Sequence, residues 1–134
     1  MRNLGYIKVG CAVPKIKVAD CIYNVDQILS LIDKAKEKKI EILTFPELCI
    51  TGYTCGDLFL QKTLINESEK QIKLICEASK STDMLILIGC PIKISSHLYN
   101  CAVAINNGEI LSIIPKTNLP NYDEFYEKRW FSPG

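Results

Sequence analysis

A chain of 134 residues has room for one domain with a proper hydrophobic core. Charged residues supply 23% of it and leave a net charge of +1, which excludes the electrostatic footprint of a nucleic-acid or membrane-surface protein. Apolar stretches such as Met84 to Cys90 are far too short for a bilayer, and Met1-Arg2-Asn3-Leu4 lacks the apolar core of an export signal, so a cytoplasmic location is expected.

Leu4 to Val13 alternates, with Ile7, Val9, Cys11 and Val13 on one face, and predicts a strand. Asn24 with Gln27 three residues later resembles a capping box. Val25, Ile28, Leu29, Ile32 and Ala35 then recur at helical spacing, and the lysines between Lys34 and Lys39 suit a helix C-terminus. Ile40 to Phe45 predicts a second strand, stopped by Pro46. Asn66 with Glu69 predicts the start of a second helix, whose inward stripe includes Ile72, Ile75, Cys76 and Ser79. Met84 to Cys90 is apolar throughout and predicts a central strand covered on both faces. "LYNCAVAI" and "EILSII" flank Asn106-Asn107-Gly108, a hairpin signal. This order predicts an α/β layered domain with a mixed sheet. No internal repeat, low-complexity tract or linker interrupts it.

Seven cysteines occur without C-x-x-C spacing and beside a single histidine, His97, which argues against both a zinc site and a disulfide framework. Reduced thiols are expected, with Cys11, Cys76, Cys90 and Cys101 acting as small buried hydrophobes among Ala, Val, Ile and Leu.

The stretch "EILTFPELCITGYTCGDLF" holds a carboxylate, Glu47, directly after the proline that ends the second strand. Lys116 follows the return strand of the hairpin, and Glu127 lies in "LPNYDEFYEKRWF". Layered α/β folds build sites at strand ends, where side chains are held rigidly at one edge of the sheet. A carboxylate at a buried strand end is partly desolvated, which disfavours its charged form and suits it to accept a proton. A lysine beside it could stabilise developing negative charge. Plainer roles fit the same residues. Glu47 could be a solvated loop acid and Lys116 a surface lysine beside Pro115. Glu124, Glu127, Lys128 and Arg129 could form a charged helix face, and Tyr122, Phe125 and Tyr126 suit packing as well as substrate contact. Residue type and spacing leave both sets open.

"TFPELCITGY" resembles the glutamate motif of the nitrilase, or carbon-nitrogen hydrolase, superfamily, and "IIPKTNLPNYDEFYEKRWF" resembles its lysine motif. Within that superfamily, "TGYTCGDLF", "KTNLPNYDEFYEKRWF" and the opening "KVGCAVPKIKVADCIYNVDQIL" are similar to the glutaminase domains of glutamine-dependent NAD synthetases. The resemblance covers the whole chain. It implies the N-terminal part of a nitrilase-like α-β-β-α sandwich with a mixed sheet, residues 1–134 being a partial domain, and a Glu-Lys-Cys triad. Position by position, it implies Glu47 as general base and Lys116 as the triad lysine. Glu127 would be the second glutamate, which positions the lysine and the substrate, and Tyr53, Tyr122 and Phe125 would line the glutamine pocket.

In that family the cysteine nucleophile follows the lysine motif. It is therefore expected beyond Gly134, with Cys49 and Cys55 structural and the chain alone inactive. The implied substrate is glutamine, and the implied partner is a synthetase domain of the same parent chain, which would carry ATP and Mg²⁺. The glutaminase part itself would need no metal or cofactor. A homo-oligomer is also expected. Two alternatives stand beside this reading: a truncated stand-alone nitrilase-type amidase, and a binding or oligomerisation module without chemistry.

Overall fold

The computed structural model describes residues 5–134. Leu4, where the first strand was expected to open, lies outside them. In chain order the elements are β1 (Val9–Cys11), α1 (Cys21–Glu37), β2 (Ile42–Thr44), a 3₁₀ helix (Gly56–Leu60), α2 (Lys62–Ser79), β3 (Leu85–Ile94), β4 (His97–Asn106), β5 (Glu109–Pro115) and a 3₁₀ turn (Glu127–Arg129). The strands form one mixed sheet in the order β1-β2-β3-β4-β5. β1, β2 and β3 run parallel, and β4 and β5 add to them antiparallel.

The two parallel connections run through α1 and α2 between neighbouring strands. Right-handed crossovers in the same direction place both helices on one face of the sheet. There Val25, Ile28, Ile32 and Ala35 of α1 and Ile72 and Ile75 of α2 join Leu43, Ile86, Ile88, Val103 and Ile105 in a single core. Of the helical stripes read from periodicity, Val25, Ile28, Ile32, Ala35, Ile72, Ile75 and Ser79 are buried, while Leu29 and Cys76 are only partly covered.

The helix starts are different from those expected. Asp20 caps α1, its Oδ1 accepting from the Tyr23 amide at 3.0 Å. Asn24 sits inside the helix, fully buried. Its Oδ1 accepts from the Lys17 amide at 2.8 Å and its Nδ2 donates to the Ile50 carbonyl at 2.9 Å. Similarly α2 begins at Lys62, so Asn66 is internal. The Asn-x-x-Gln and Asn-x-x-Glu spacings belong to helix interiors here, where a buried amide ties down a loop or a surface face continues.

Among the described residues, coverage of the two faces of the sheet is unequal. Ile86, Ile88 and Cys90 of β3 pair with Ile105, Val103 and Cys101 of β4, and all six are buried. Leu85 and Leu87, on the opposite face, are only half-buried. The expectation that β3 is covered on both faces holds among the described residues at Gly89, where the turn after β2 sits on the strand, and at Pro91, and fails at Leu85 and Leu87. Both helices lie on the same side, and a run of apolar residues does not reveal what packs against it. The alternating face of the first strand is likewise open: Ile7, Val9, Cys11 and Val13 are all exposed, Val13 by 81%. Cys11 is therefore not a buried hydrophobe, and Cys76 is only partly covered. On β5, Ile110, Leu111, Ile113 and Ile114 are exposed as well.

The predicted hairpin joins β4 to β5 through Asn107 and Gly108, whose φ values of 48° and 83° give the doubly left-handed turn that matches strand twist. A second hairpin, from β3 to β4, turns at Ser95 with φ 56° and carried no Asn-Gly or Asp-Gly signal. Among the described residues no helix is long and apolar enough to cross a membrane.

Candidate active site

The route from β2 to Glu47 is set by local chemistry. The Phe45 amide still donates to the Leu87 carbonyl at 2.9 Å, but Pro46 has no N–H and the ladder stops. The chain then turns tightly over β3, with Leu48 in the left-handed region at φ 52°, a costly conformation for a leucine. Complete burial of the Leu48 side chain holds it there. Gly89 of β3 makes the turn possible. A Cβ at this position would overlap the Leu48 amide nitrogen and stand 2.8 Å from the Pro46 carbonyl oxygen. The Gly89 carbonyl also accepts from the Ile50 amide at 3.3 Å. Glu47 is presented by a turn seated directly on a glycine.

Lys116 follows the last residue of β5, and its amide donates to the Asn100 carbonyl of β4 at 2.8 Å. Its Nζ donates to Glu47 Oε1 at 2.7 Å and to Glu127 Oε1 at 3.1 Å. Glu127 opens the 3₁₀ turn, and its side chain is 2% exposed. Its other oxygen, Oε2, accepts from the Tyr53 hydroxyl at 2.8 Å. Asn100 Nδ2 donates to Glu47 Oε1 at 2.6 Å. Residues 47, 53, 100, 116 and 127, drawn from four separate stretches of chain, thus form one hydrogen-bonded cluster.

Two expectations change in detail. The buried carboxylate is Glu127, whereas the Glu47 side chain keeps 42% of its exposure because its turn stands proud of the sheet. The segment from Glu124 to Arg129 is no charged helix face either. It contains only a three-residue 3₁₀ turn, and Glu127 points inward from it.

The electrostatics follow from this arrangement. Burial pulls the Lys116 ammonium toward its neutral form, but the hydrogen bonds it donates to the two carboxylates and their charges outweigh it, so its pKa lies above the ordinary lysine value. Burial, then the bond to Glu127 and the surrounding carboxylates, push the Tyr53 hydroxyl well above the usual tyrosine range. The aromatic residues gather beside this cluster. Phe125 meets Tyr53 edge-on at 6.4 Å between centroids and Tyr122 at 5.8 Å.

Sequence reasoning singled out Glu47, Tyr53, Lys116, Tyr122, Phe125 and Glu127. It missed Gly89, Asn100 and Asp57. Asp57 Oδ1 accepts from Arg129 Nε at 2.7 Å and from Trp130 Nε1 at 3.0 Å, while Oδ2 accepts from Arg129 Nη2 at 3.0 Å. This clamp fastens the turn carrying Glu127 to the 3₁₀ helix. The Arg129 and Trp130 bonds hold the Asp57 carboxyl well below the usual carboxylate range. An aspartate ten residues after Glu47, opposite an Arg-Trp pair far along the chain, gives no local signal.

Among the described residues, no cysteine Sγ makes a hydrogen bond to Glu47, Lys116 or Glu127. Cys49 is buried, with Sγ 3.5 Å from both the amide and the carbonyl of Gly89, and Cys55 Sγ donates to the Thr51 carbonyl at 3.2 Å. Burial pushes the Cys49 and Cys101 thiols up to about 11 and the Cys21 thiol up to about 12. A protonated, buried thiol is a poor nucleophile. No group of three or more His, Cys, Asp or Glu among the described residues is gathered to hold a metal ion.

The arrangement offers a partly exposed carboxylate that can take a proton and an ammonium that can meet a developing oxyanion. The chain as a whole is similar to known proteins. The sequence profile of carbon-nitrogen hydrolases matches residues 8–134. Over 130 residues the chain is 32% identical to a glutamine-dependent NAD(+) synthetase of Mycobacterium leprae (strain TN), covering 97% of this chain and 19% of that protein. Over 117 residues it is 38% identical to the glutamine-dependent NAD(+) synthetase of Aquifex aeolicus (strain VF5), covering 87% of this chain and 20% of that one. The crystal structure of a glutamine-dependent NAD(+) synthetase from Cytophaga hutchinsonii superposes with a TM-score of 0.89 at 36% identity, covering 95% of this chain and 22% of that one. The chain spans about a fifth of the length of the curated relatives it matches.

Proposed function

We infer that this chain, which belongs to the carbon-nitrogen hydrolase family, forms part of the glutaminase of a glutamine-dependent NAD synthetase. The observation that carries the reading is the Lys116 ammonium held between Glu47 at 2.7 Å and the buried Glu127 at 3.1 Å.

In this reading Glu47 takes the proton of a cysteine thiol, and the thiolate attacks the side-chain carboxamide carbon of glutamine. Lys116 stabilises the tetrahedral oxyanion, and the amide nitrogen leaves as ammonia with the proton that Glu47 held. Water, deprotonated by Glu47, then cleaves the thioester to glutamate and frees the thiol. Glu127 keeps the ammonium in place, and Tyr53, Tyr122 and Phe125 line the glutamine side. The nucleophile is a cysteine supplied from outside residues 1–134. Five of the seven cysteines are buried, and among the described residues no cysteine Sγ bonds to Glu47, Lys116 or Glu127, which supports an external nucleophile. The ammonia feeds the ATP-dependent amidation of nicotinic acid adenine dinucleotide on a separate synthetase domain. ATP and Mg²⁺ act there, and no step on this chain runs through them.

The test separates two activities of the full-length protein. Glu47→Gln and Lys116→Ala should each lower glutamine-dependent NAD synthesis by at least ~10²-fold, the scale of losing a general base or an oxyanion donor. Synthesis from added ammonia should survive both. A parallel fall of the two rates in a folded protein would refute the assignment. Amide hydrolysis without any NAD synthesis would instead mark a stand-alone amidase.

A further inference from the structure

We propose that Asn100 is a positioning residue for the proton-accepting carboxylate, holding Glu47 through its side-chain amide and Lys116 through its main-chain carbonyl. The inference rests on the reading of Glu47 as general base and adds to it a residue that no motif marks.

Asn100 lies on β4 opposite Pro91, next to the Cys101 that pairs with Pro115. Its side chain is buried within a strand whose neighbours Cys101, Val103 and Ile105 are core residues. Asparagine is depleted in strands, and a buried amide costs stability unless it is hydrogen-bonded. What it gains here is one short contact, Nδ2 to Glu47 Oε1 at 2.6 Å, while its carbonyl accepts from the Lys116 amide at 2.8 Å.

The consequence lies in how the two carboxylate oxygens divide. Oε1 takes both donors, Asn100 Nδ2 and Lys116 Nζ. Among the described residues no hydrogen bond reaches Oε2. Oε2 is therefore the oxygen left to receive a proton. The two donors are not equivalent. Lys116 must turn part of its charge toward a developing oxyanion, which loosens its hold on Glu47. Asn100 is neutral and fixed in the sheet, so it keeps Oε1 anchored throughout the cycle. It touches no reacting atom and acts only through Glu47.

The experiment uses the full-length protein with glutamine and, separately, ammonia as nitrogen source. Asn100→Ala should lower kcat for glutamine hydrolysis about 10- to 10²-fold, the scale of losing a hydrogen bond to a charged group. KM for glutamine should stay within about twofold, and ammonia-dependent synthesis should be unchanged. Asn100→Asp keeps the volume but replaces the donor with a like charge. It should lose at least as much and move the acid limb of the kcat/KM profile to higher pH. The charged and titratable groups facing that carboxylate are Lys116 from the end of β5 and, beyond it, Glu127 and Tyr53. Added to Glu47→Gln, Asn100→Ala should cost less than about twofold more, because it acts through the group already removed.

Wild-type hydrolysis by Asn100→Ala beside an inactive Glu47→Gln would overturn this inference alone. So would a multiplicative double mutant, or an equal fall in ammonia-dependent synthesis. Full activity of Glu47→Gln would instead overturn the base assignment, and the role of Asn100 with it.

Discussion

Lys116 presents its ammonium 3.1 Å from the carboxylate of Glu127, a side chain with only 2% of its surface exposed. Removing the lysine would leave that carboxylate buried with, among the described residues, only the Tyr53 hydroxyl for a donor. Stranding one member of a buried pair costs ~3–5 kcal/mol in general. Lys116 is itself 31% exposed, and water would reach the vacancy. We expect Lys116→Met to lower unfolding stability by about 2 kcal/mol. Glu127→Gln in the same chain should restore most of it, because the buried charge is then gone. Urea unfolding of the two single mutants and the double mutant reads this directly. Additive losses would mean that the two groups are not energetically paired.

Tyr53 gives a pH dependence with a definite sign. Its hydroxyl titrates above the usual tyrosine range when folded, because of burial first and the bond to Glu127 second. The folded state therefore holds this proton more tightly than the unfolded chain. The stabilisation is complete below the unfolded tyrosine pKa of about 10 and fades as pH rises above it. The difference in stability between wild type and Tyr53→Phe should shrink steadily from pH 9 upward. A constant difference across that window would show that the hydroxyl is not held protonated by the fold.

The parts of this site that could be read from sequence are those tied to strand ends. Pro46 ends a ladder and so marks Glu47, and the Asn107-Gly108 turn sets the return strand whose end is Lys116. Family resemblance then joined residues 47 and 116, which the fold brings to 2.7 Å. What could not be read depends on partners distant in sequence. Asn100 lies in a run that scores as plain buried strand, and only the fold puts Glu47 within reach of it. Glu127 lies among alternating charges that mimic a helix surface, and its burial depends on Tyr53 and Lys116. The Asn-x-x-Glu spacing at Asn66 satisfied the rule for a helix start while lying inside α2. The open face of β1 shows the same limit, since alternation identifies a face without identifying what covers it.

The thiols offer a test of the nucleophile assignment that needs no substrate. Of the seven cysteines, Cys11 is exposed, Cys76 is partly covered and the other five are buried. In the 134-residue chain at pH 8, a colorimetric disulfide reagent should release one equivalent quickly, from Cys11, and the rest slowly. All seven should react at once in guanidinium. Cys11→Ser should remove the fast phase. If a fast equivalent survives that change and is blocked by glutamine, one of the internal cysteines is reactive and the external nucleophile is unnecessary.

Gly89 makes the sharpest prediction about how the site is built, since its effect on Glu47 passes through the backbone alone. Alanine there would drive a methyl group into the Leu48 amide and crowd the Pro46 carbonyl, both main-chain atoms with little freedom to yield. The turn is tied on either side by the bonds from Phe45 to Leu87 and from Ile50 to Gly89, so it can only lift away from β3. Overpacking of this kind costs ~1–3 kcal/mol of stability. A displacement of about 1 Å at a reacting group can cost ~10²-fold in rate. We therefore expect Gly89→Ala to fold with reduced stability and to lose at least ~10-fold in glutamine-dependent turnover. Gly10→Ala is the matched control on β1. Its added carbon meets only the flexible side chain of Ile40, at 3.3 Å, which can give way. It should leave turnover close to wild type. Equal losses in the two variants would show that glycine matters here only for sheet stability, and normal turnover in Gly89→Ala would show that the turn holding Glu47 does not depend on its seat.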